Sequence, residues 1–348
     1  MRTFDYSFLN NGLLPARFVN LAAGIASFQT MAGVRKADFV QVFRELEAVA
    51  RVQSVKSSNA IEGIVTSDER LAAIVQQNSA PLNHSEAEIA GYRDALQAIH
   101  GNFAVLDFRQ GDILRLHELL MDPSGDAQAG QYKRSDNLIL EVDEAGRRSV
   151  RFRPTPAAET PAAMEQLELA YLEARADANI NQLLLIPCVI LDFLCIHPFQ
   201  DGNGRMSRLL SLLLLYKNGY DVGKYISFEE QINRYKAYYY EALRRSSAGW
   251  ETGENSPFPF AEQFLSTLYL CYKELDKRFA VVHSKHVTKK ARVEATVLHS
   301  LTPLSKAEIC AILPDVSPAT VEAVLGTMVR SGAIRRVGSG RASRYIRA

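Results

Sequence analysis

The sequence predicts a mainly helical (mainly α) protein with one β-hairpin set into it and a small basic unit of helices and hairpin near its C-terminus. Three observations carry this. Apolar residues recur at three-and-four spacing over most of the chain, the pattern changes to two β-rich runs around a turn at 137–154, and charge and pattern shift together near Ser284.

The helical periodicity is clearest from Ala37 to Ser57, where Phe39, Val40, Phe43, Leu46, Val49 and Val52 fall on one face. Ser85 to Ile99, Gln110 to Met121, Ala157 to Ala176, Leu183 to Ile196 and Leu265 to Ala280 read the same way, with a Gly- and Pro-punctuated loop from Ser246 to Pro259. At 137–154, NLILEV and RRSVRFR flank Asp-Glu-Ala-Gly, a hairpin signal. A lone hairpin is marginal in water, so it is expected to lie over another part of the protein.

From Lys290 to Ala348 there are nine Lys or Arg against four Asp or Glu, a local net charge of 9 − 4 = +5. A helix from Ala291, a short one from Ser305, and a longer one capped by Ser317, opened by Pro318 and stopped by Gly332 precede a basic hairpin turning at Gly338-Ser339-Gly340. Three helices and a two-stranded wing make a winged helix. The expected divisions are therefore 1–110, 111–283 and 284–348.

Composition excludes several classes. The 348 residues are 47% hydrophobic and 23% charged, an ordinary globular balance, and 40 basic against 39 acidic side chains give no long-range pull toward nucleic acid or anionic membrane. The longest apolar run, Leu209 to Tyr216, is far short of the roughly 20 residues that cross a bilayer. No secretion signal is read at the N-terminus, and the four cysteines form no CxxC pair, so buried thiols and a cytoplasmic setting are expected. His117-Glu118 has Met121 where a zinc helix needs its second histidine, and no Walker loop exists. His84, His100, His283, His286 and His299 are scattered and read as surface or cap residues.

The informative segment is His197-Pro-Phe-Gln-Asp-Gly-Asn-Gly-Arg-Met-Ser-Arg208. Pro198 disfavours helical geometry at His197, so the preceding helix should end there. Asp-Gly-Asn-Gly is a tight turn, and RMSRLLSLLLLYKNG from Arg205 is a strong helix ended by Gly219. Exposed amides at that helix's N-terminus make an anion site. Arg205 and Arg208, three apart on one face, suit a polyphosphate, Asp201 can tether a Mg²⁺ ion bound to it, and His197 has the basicity to take a proton from a hydroxyl. Phosphoryl or nucleotidyl transfer follows from these residues.

The same string resembles the HPFxDGNGRxxR motif of the Fic family along its full length. The hairpin at 137–154 resembles the family's flap over the target segment, Gly130-Gln-Tyr-Lys-Arg134 its GxxR lead-in, and Tyr238-Tyr-Tyr240 the stretch bordering adenine. The resemblance implies a Fic-type helical core at 111–283 and a protein adenylyltransferase using ATP and Mg²⁺. His197 would be the catalytic base and Asp201 the metal ligand. Gly202, Asn203, Gly204, Arg205, Met206, Ser207 and Arg208 would hold the nucleotide, with Arg205 at the β-phosphate, Arg208 at the γ-phosphate and Tyr240 beside the base. The acceptor would be a Tyr, Ser or Thr hydroxyl of a target protein, with DNA gyrase or topoisomerase subunits one known class of target, or of the chain itself.

Ser57-Ser-Asn-Ala-Ile-Glu-Gly63 resembles the family's inhibitory motif, fitted at Ser58, Glu62 and Gly63, and lies within a segment at about 55–65. The resemblance implies that Glu62 reaches the nucleotide site and competes for Arg208. In some relatives that glutamate also assists AMP removal, and self-association is a natural way to hide or release it, so a homodimer is a further expectation. Of the tyrosines, Tyr238 and Tyr239 read equally as core packing or as part of that border. An alternative of another class is a nucleotide-sensing, DNA-binding regulator with the basic wing (Arg335, Arg336, Arg341, Arg344, Arg347) as its output. The presence of both His197 and Asp201 favours the enzyme.

Overall fold

The computed structural model describes residues 3–142, 148–283, 288–298, 300, 303–313, 315–338, 340 and 343–348. Its elements run α1 (Phe8–Asn11), α2 (Ala16–Asp38), α3 (Val40–Ile61), α4 (Asp68–Gln77), α5 (His84–Asn102), α6 (Gln110–Met121), β1 (Ile139–Val142), β2 (Arg148–Phe152), α7 (Thr160–Ala176), α8 (Gln182–Ile196), α9 (Asn203–Lys217), α10 (Phe228–Arg234), α11 (Lys236–Ser247), α12 (Phe258–His283), α13 (Lys289–Leu298), β3 (Leu304–Ser305), α14 (Lys306–Ile312), α15 (Pro318–Arg330), β4 (Ile334–Val337) and β5 (Arg344–Arg347). The mainly helical class is as expected.

The centre is the pair α8 and α9. Their side chains are buried nearly all round, as in Phe193, Met206, Leu209, Leu212 and Leu213 at 0% exposure, so other helices enclose both. On one side α5 crosses α6 closely because position 91 is glycine. A Cβ there would stand 2.0 Å from the Leu120 carbonyl oxygen. A backbone oxygen cannot swing aside as a side chain can. Gly91→Ala is therefore expected to cost roughly 2 kcal/mol or more. Thermal unfolding checks it, and an unchanged Tm would mean that α5 and α6 shift apart freely.

The continuous helix expected from Ala37 to Ser57 is instead two. The chain breaks at Phe39 (φ −128°, ψ 44°), and α3 runs on to Ile61. The break lets Phe39 and Phe43 both meet Phe279 of α12, at ring distances of 5.8 and 5.1 Å. The last long helix starts at Phe258 rather than Leu265, because Pro259 falls in its first turn, where a proline lacks nothing.

The two strands at 139–152 pair antiparallel, Leu140 opposite Val150, and Phe152 packs edge-on against Trp250 at 6.2 Å. The expected turn at 143–147 lies outside the described residues. Leu140 and Val150 keep 48% and 43% of their surface exposed on the hairpin's outer side.

The C-terminal elements have a core of their own, with Val293, Val297, Ile309, Leu313, Val321, Leu325 and Ile334 buried together. Ser305 and Glu308 form a capping box, and Ser317 caps the Thr320 amide at 3.2 Å. The two-stranded wing expected from sequence is three-stranded, in the order β3-β5-β4, because Leu304 and Ser305 pair with Tyr345 and Arg344. The expected boundary at 284, His286, His299, Ser339 and Arg341 lie outside the described residues. Cys188, Cys195 and Cys271 are buried thiols, and Cys310 is a half-buried one. Among the described residues no helix is long and apolar enough to cross a membrane.

Candidate active site

The helix α8 ends at Ile196, two residues before Pro198, as that proline requires of the intervening His197. His197 itself takes the left-handed region (φ 52°, ψ 61°), its amide donating to the Phe193 carbonyl at 2.9 Å. Such a conformation costs a non-glycine residue about 1–2 kcal/mol, and it turns the imidazole out of the helix line into the loop. The ring Nδ1 lies 3.4 Å from the Leu194 carbonyl oxygen. A carbonyl can only accept, so Nδ1 carries the proton and Nε2 keeps its lone pair. Burial, and then the charge of Lys133, bring the His197 pKa down to about 4. At neutral pH the ring is an uncharged base.

The loop back into α9 is clamped by Asn203, whose Oδ1 accepts from the Phe199 amide (2.9 Å) and whose Nδ2 donates to the Phe199 carbonyl (2.7 Å). Gly202 sits at φ +78°, and the helix begins at Asn203, earlier than the expected Arg205. The first intrahelical bond there runs from the Met206 amide to the Gly202 carbonyl (2.8 Å), so the amides of Asn203, Gly204 and Arg205 have no carbonyl four residues back in the helix. Asp201 holds one oxygen on the Gly202 amide (2.6 Å) with its side chain 67% exposed.

Arg208 is 2% exposed and fully engaged on one side. Its Nε donates to Ser58 Oγ (2.8 Å), and its Nη2 to the Ser58 carbonyl (3.0 Å) and to Glu62 Oε1 (2.8 Å). Burial pulls its pKa down, but the Glu62 carboxylate holds it above the usual value. Glu62 reaches this point because α3 ends at Ile61 and Gly63 turns the chain at φ +83°. The last turn of α3 is further held by Lys236, whose Nζ donates to the Ile61 carbonyl at 2.6 Å. Position 204 must be glycine for this approach, since a Cβ there would stand 2.4 Å from Glu62 Oε1.

Arg205 is likewise 2% exposed. Its Nη1 lies 3.0 Å from Glu88 Oε1 without an aligned N–H, and its Nε has no hydrogen-bond partner. Met206 turns wholly into the core, and Ser207 bonds back to the Gly204 carbonyl (2.8 Å). The side chains of these two, and the Met206 amide, are engaged within the fold. Tyr240 is half-buried, and burial and Glu62 raise its pKa while Arg208 and Arg151 lower it, which places its hydroxyl among Glu62, Arg208 and the hairpin. Tyr239 is core at 5% exposure. Tyr238 is 69% exposed and not core, since neighbours on a helix point about 100° apart.

Several residues of the site escaped the sequence reading. In the GQYKR segment it is Lys133, not Arg134, that faces His197. Its amide donates to the Pro198 carbonyl (2.9 Å) and its Nζ to the Ile196 carbonyl (3.2 Å) and Asn137 Oδ1 (2.9 Å). Burial lowers its pKa to about 8. Arg134 is exposed and bonds only Gln131 among the described residues. His117 stacks on Phe199 at 3.7 Å, accepts from the Gly130 amide at Nδ1 (3.1 Å) and so donates from Nε2 to the Asp201 carbonyl (3.2 Å). It is a brace for the loop, and among the described residues no group of metal-ligating side chains surrounds it. His100, expected as a surface or cap residue, lies in the last turn of α5 and packs on Tyr216 at 5.6 Å.

These histidines make stability depend on pH. Burial lowers His100 to about 3 and His117 and His197 to about 4, from 6.5. The unfolded chain takes up protons near 6.5 and the folded chain does not, so stability is full above that value and falls as pH drops toward 4. Tm is expected to decline steadily from pH 7 to pH 5; a Tm that rises over that range would contradict the burial of these rings.

The Fic/DOC family profile matches residues 107–215. The chain is 24% identical over 212 residues to the protein adenylyltransferase Fic of Nematostella vectensis, a match taking in 58% of this chain and 44% of that protein. It is 26% identical over 122 residues to a Fido domain-containing protein of Dictyostelium discoideum, covering 35% of this chain and 79% of that one. In structure it is similar to a Fic family protein from Desulfovibrio desulfuricans G20, with a TM-score of 0.63, 22% identity and 97% of both chains covered. Fic-1 from C. elegans gives a TM-score of 0.57 at 16% identity over 77% of each chain. The loop from His197 to Arg208 lies inside the matched region, and this chain carries a domain of the Fic/DOC family.

Proposed function

We propose that the chain moves AMP from ATP to a Tyr, Ser or Thr hydroxyl of a protein, and that Glu62 restrains it. The observation that carries this is the union of a neutral imidazole, a free helix N-terminus and two buried guanidinium groups, Arg208 bonded to Glu62 and Arg205 beside Glu88 and Asp201.

The triphosphate would lie along the start of α9. Asn203, Gly204 and Arg205 would offer amides to the α- and β-phosphates, and Arg205 keeps Nε free for the β-phosphate. Arg208 would take the γ-phosphate. A magnesium ion would fit here, because one exposed carboxylate, Asp201, beside a polyphosphate is the donor set this cation accepts; it would offset phosphate charge. His197 Nε2 would remove the proton of the acceptor hydroxyl as its oxygen bonds to the α-phosphorus. The bond from that phosphorus to the oxygen bridging it to the β-phosphorus breaks, and pyrophosphate leaves. The exposed apolar pair Leu140 and Val150 on the hairpin would meet the acceptor segment.

Glu62 restrains the reaction by occupying Arg208 and the mouth of the amide site together. Removal of AMP by a water that Glu62 orients is compatible with the same geometry. The C-terminal unit has the element order of a winged helix. The exposed face of α15 carries Ala319, Glu322, Ala323 and Thr327, and the one basic side chain of the helix, Arg330, sits in its last turn bonded to Thr327 (3.3 Å), a sparse set for reading DNA that favours a protein partner. Incubation with α-labelled and γ-labelled ATP tests the reaction. Label is expected on protein from the α-position only, and γ-label on protein would make the chain a kinase instead.

A further inference from the structure

Behind Arg208 lies a second carboxyl group that no motif points to. Glu229 of α10 is 0% exposed. Its Oε1 accepts from the Tyr92 hydroxyl at 2.9 Å, and its Oε2 from Ser54 Oγ at 2.7 Å and Ser227 Oγ at 3.2 Å. The Ser227 hydroxyl is itself an acceptor for the Glu230 amide (2.9 Å), so its own proton is free to go to Glu229. Three hydroxyls directed at two oxygens is the arrangement an anion requires. Yet among the described residues no cation pairs with it directly.

A buried carboxylate without a counter-charge is costly, by several kcal/mol. The counter-charge is one side chain away. Burial and Glu229 push the Tyr92 hydroxyl well up, while Arg208 and Ser58 act the other way on the same hydroxyl. The Tyr92 hydroxyl, bonded to the carboxylate, is thus also within electrostatic reach of the guanidinium, which Ser58 holds at 2.8 Å. Ser54, Ser58 and Glu62 are four apart, so they lie along one stripe of α3: Ser54 meets Glu229, and Ser58 and Glu62 meet Arg208.

We propose that Glu229 is a positioning residue, the permanent counter-charge that holds Arg208 through Tyr92 while Glu62 or a phosphate occupies the arginine's outer edge. Arg208 then has a fixed partner on its inner side and an exchangeable one on its outer side. The guanidinium stays put when Glu62 leaves, ready for the γ-phosphate, and the same carboxylate ties the middle of α3 to the body through Ser54.

This rests on the reading of Arg208 as the γ-phosphate contact, and the test separates the two. Binding of ATP and ADP, each with Mg²⁺, is measured by calorimetry on the full chain carrying Glu62→Gly, alone and with Glu229→Gln. The Glu62→Gly protein is expected to prefer ATP over ADP. Glu229→Gln is expected to shrink that preference by about tenfold, the worth of one charge-assisted hydrogen bond, with ADP affinity little changed. A general loosening of the fold would weaken both nucleotides alike. Tyr92→Phe removes only the linking hydroxyl and should act in the same direction, which keeps the test available where Glu229→Gln does not fold. No preference in the Glu62→Gly protein itself would sink the γ-phosphate reading; a preference that survives both further substitutions would sink the role of Glu229.

Discussion

Replacing Glu62 by glycine is expected to raise the rate of AMP transfer at least about tenfold, on the chain itself and on any acceptor protein. The argument starts from what remains at Arg208. Two of its hydrogen bonds go to Ser58, at 2.8 and 3.0 Å, and do not depend on the glutamate. The guanidinium therefore keeps its place and loses only the partner on its outer edge. Breaking a buried ion pair one-sidedly costs roughly 3–5 kcal/mol, but here a phosphate supplies the missing charge, and the bias to be overcome is smaller. About 1.4 kcal/mol suffices for a tenfold shift in population. Glu62 also stands within 2.4 Å of where a Cβ on residue 204 would lie, so its departure opens the space over the first amides of α9. Initial rates of α-label incorporation by the wild type and by Glu62→Gly measure the effect. Equal rates would mean that the 2.8 Å pair is no restraint. Glu62→Gln separates charge from bulk, since it removes the ion pair and leaves the obstruction.

The site was legible where its parts are contiguous. The His197–Arg208 string contains its own helix stop, turn and helix start, so sequence alone placed the end of α8 and the turn into α9, on which the proposed anion site and base lie. Glu62 was legible only through a short pattern joined to that string. What stayed hidden is held by contacts between distant positions: Lys133 reaches Ile196, Glu88 reaches Arg205, and Tyr92 reaches Glu229 across 137 positions. A buried charge with such partners looks like any surface charge in a linear reading, because only the fold supplies its surroundings. The break at Phe39 was missed for a related reason. The apolar spacing is that of a continuous helix, and the choice to bend comes from Phe279 on α12. Strand β3, two residues long, carries no period at all.

His197→Ala is expected to lower AMP transfer by about a hundred- to ten-thousandfold while leaving ATP binding intact. Binding should survive because, on the proposed reading, the amides of α9, Arg205 and Arg208 would contact the phosphates without help from the imidazole. The loss should be large because no other described group at this point is an uncharged base. Lys133 sits behind the loop with its Nζ directed at Ile196 and Asn137, and Asp201 is turned to the Gly202 amide. Position 197 is also conformationally demanding, with φ at 52°, so alanine there carries backbone strain that could itself disturb the loop. Asparagine tolerates the left-handed region better and has no comparable basicity, which makes His197→Asn the cleaner variant. If His197→Asn folds, binds ATP and still transfers AMP at the wild-type rate, the proton goes elsewhere. If transfer is lost with binding kept, the acidic limb of the wild-type rate profile should reflect the depressed ring, holding level below pH 6.5 and falling only as pH approaches 4. A base that must be charged to work would instead gain activity as pH drops through that window, so the two chemistries differ in the sign of the slope.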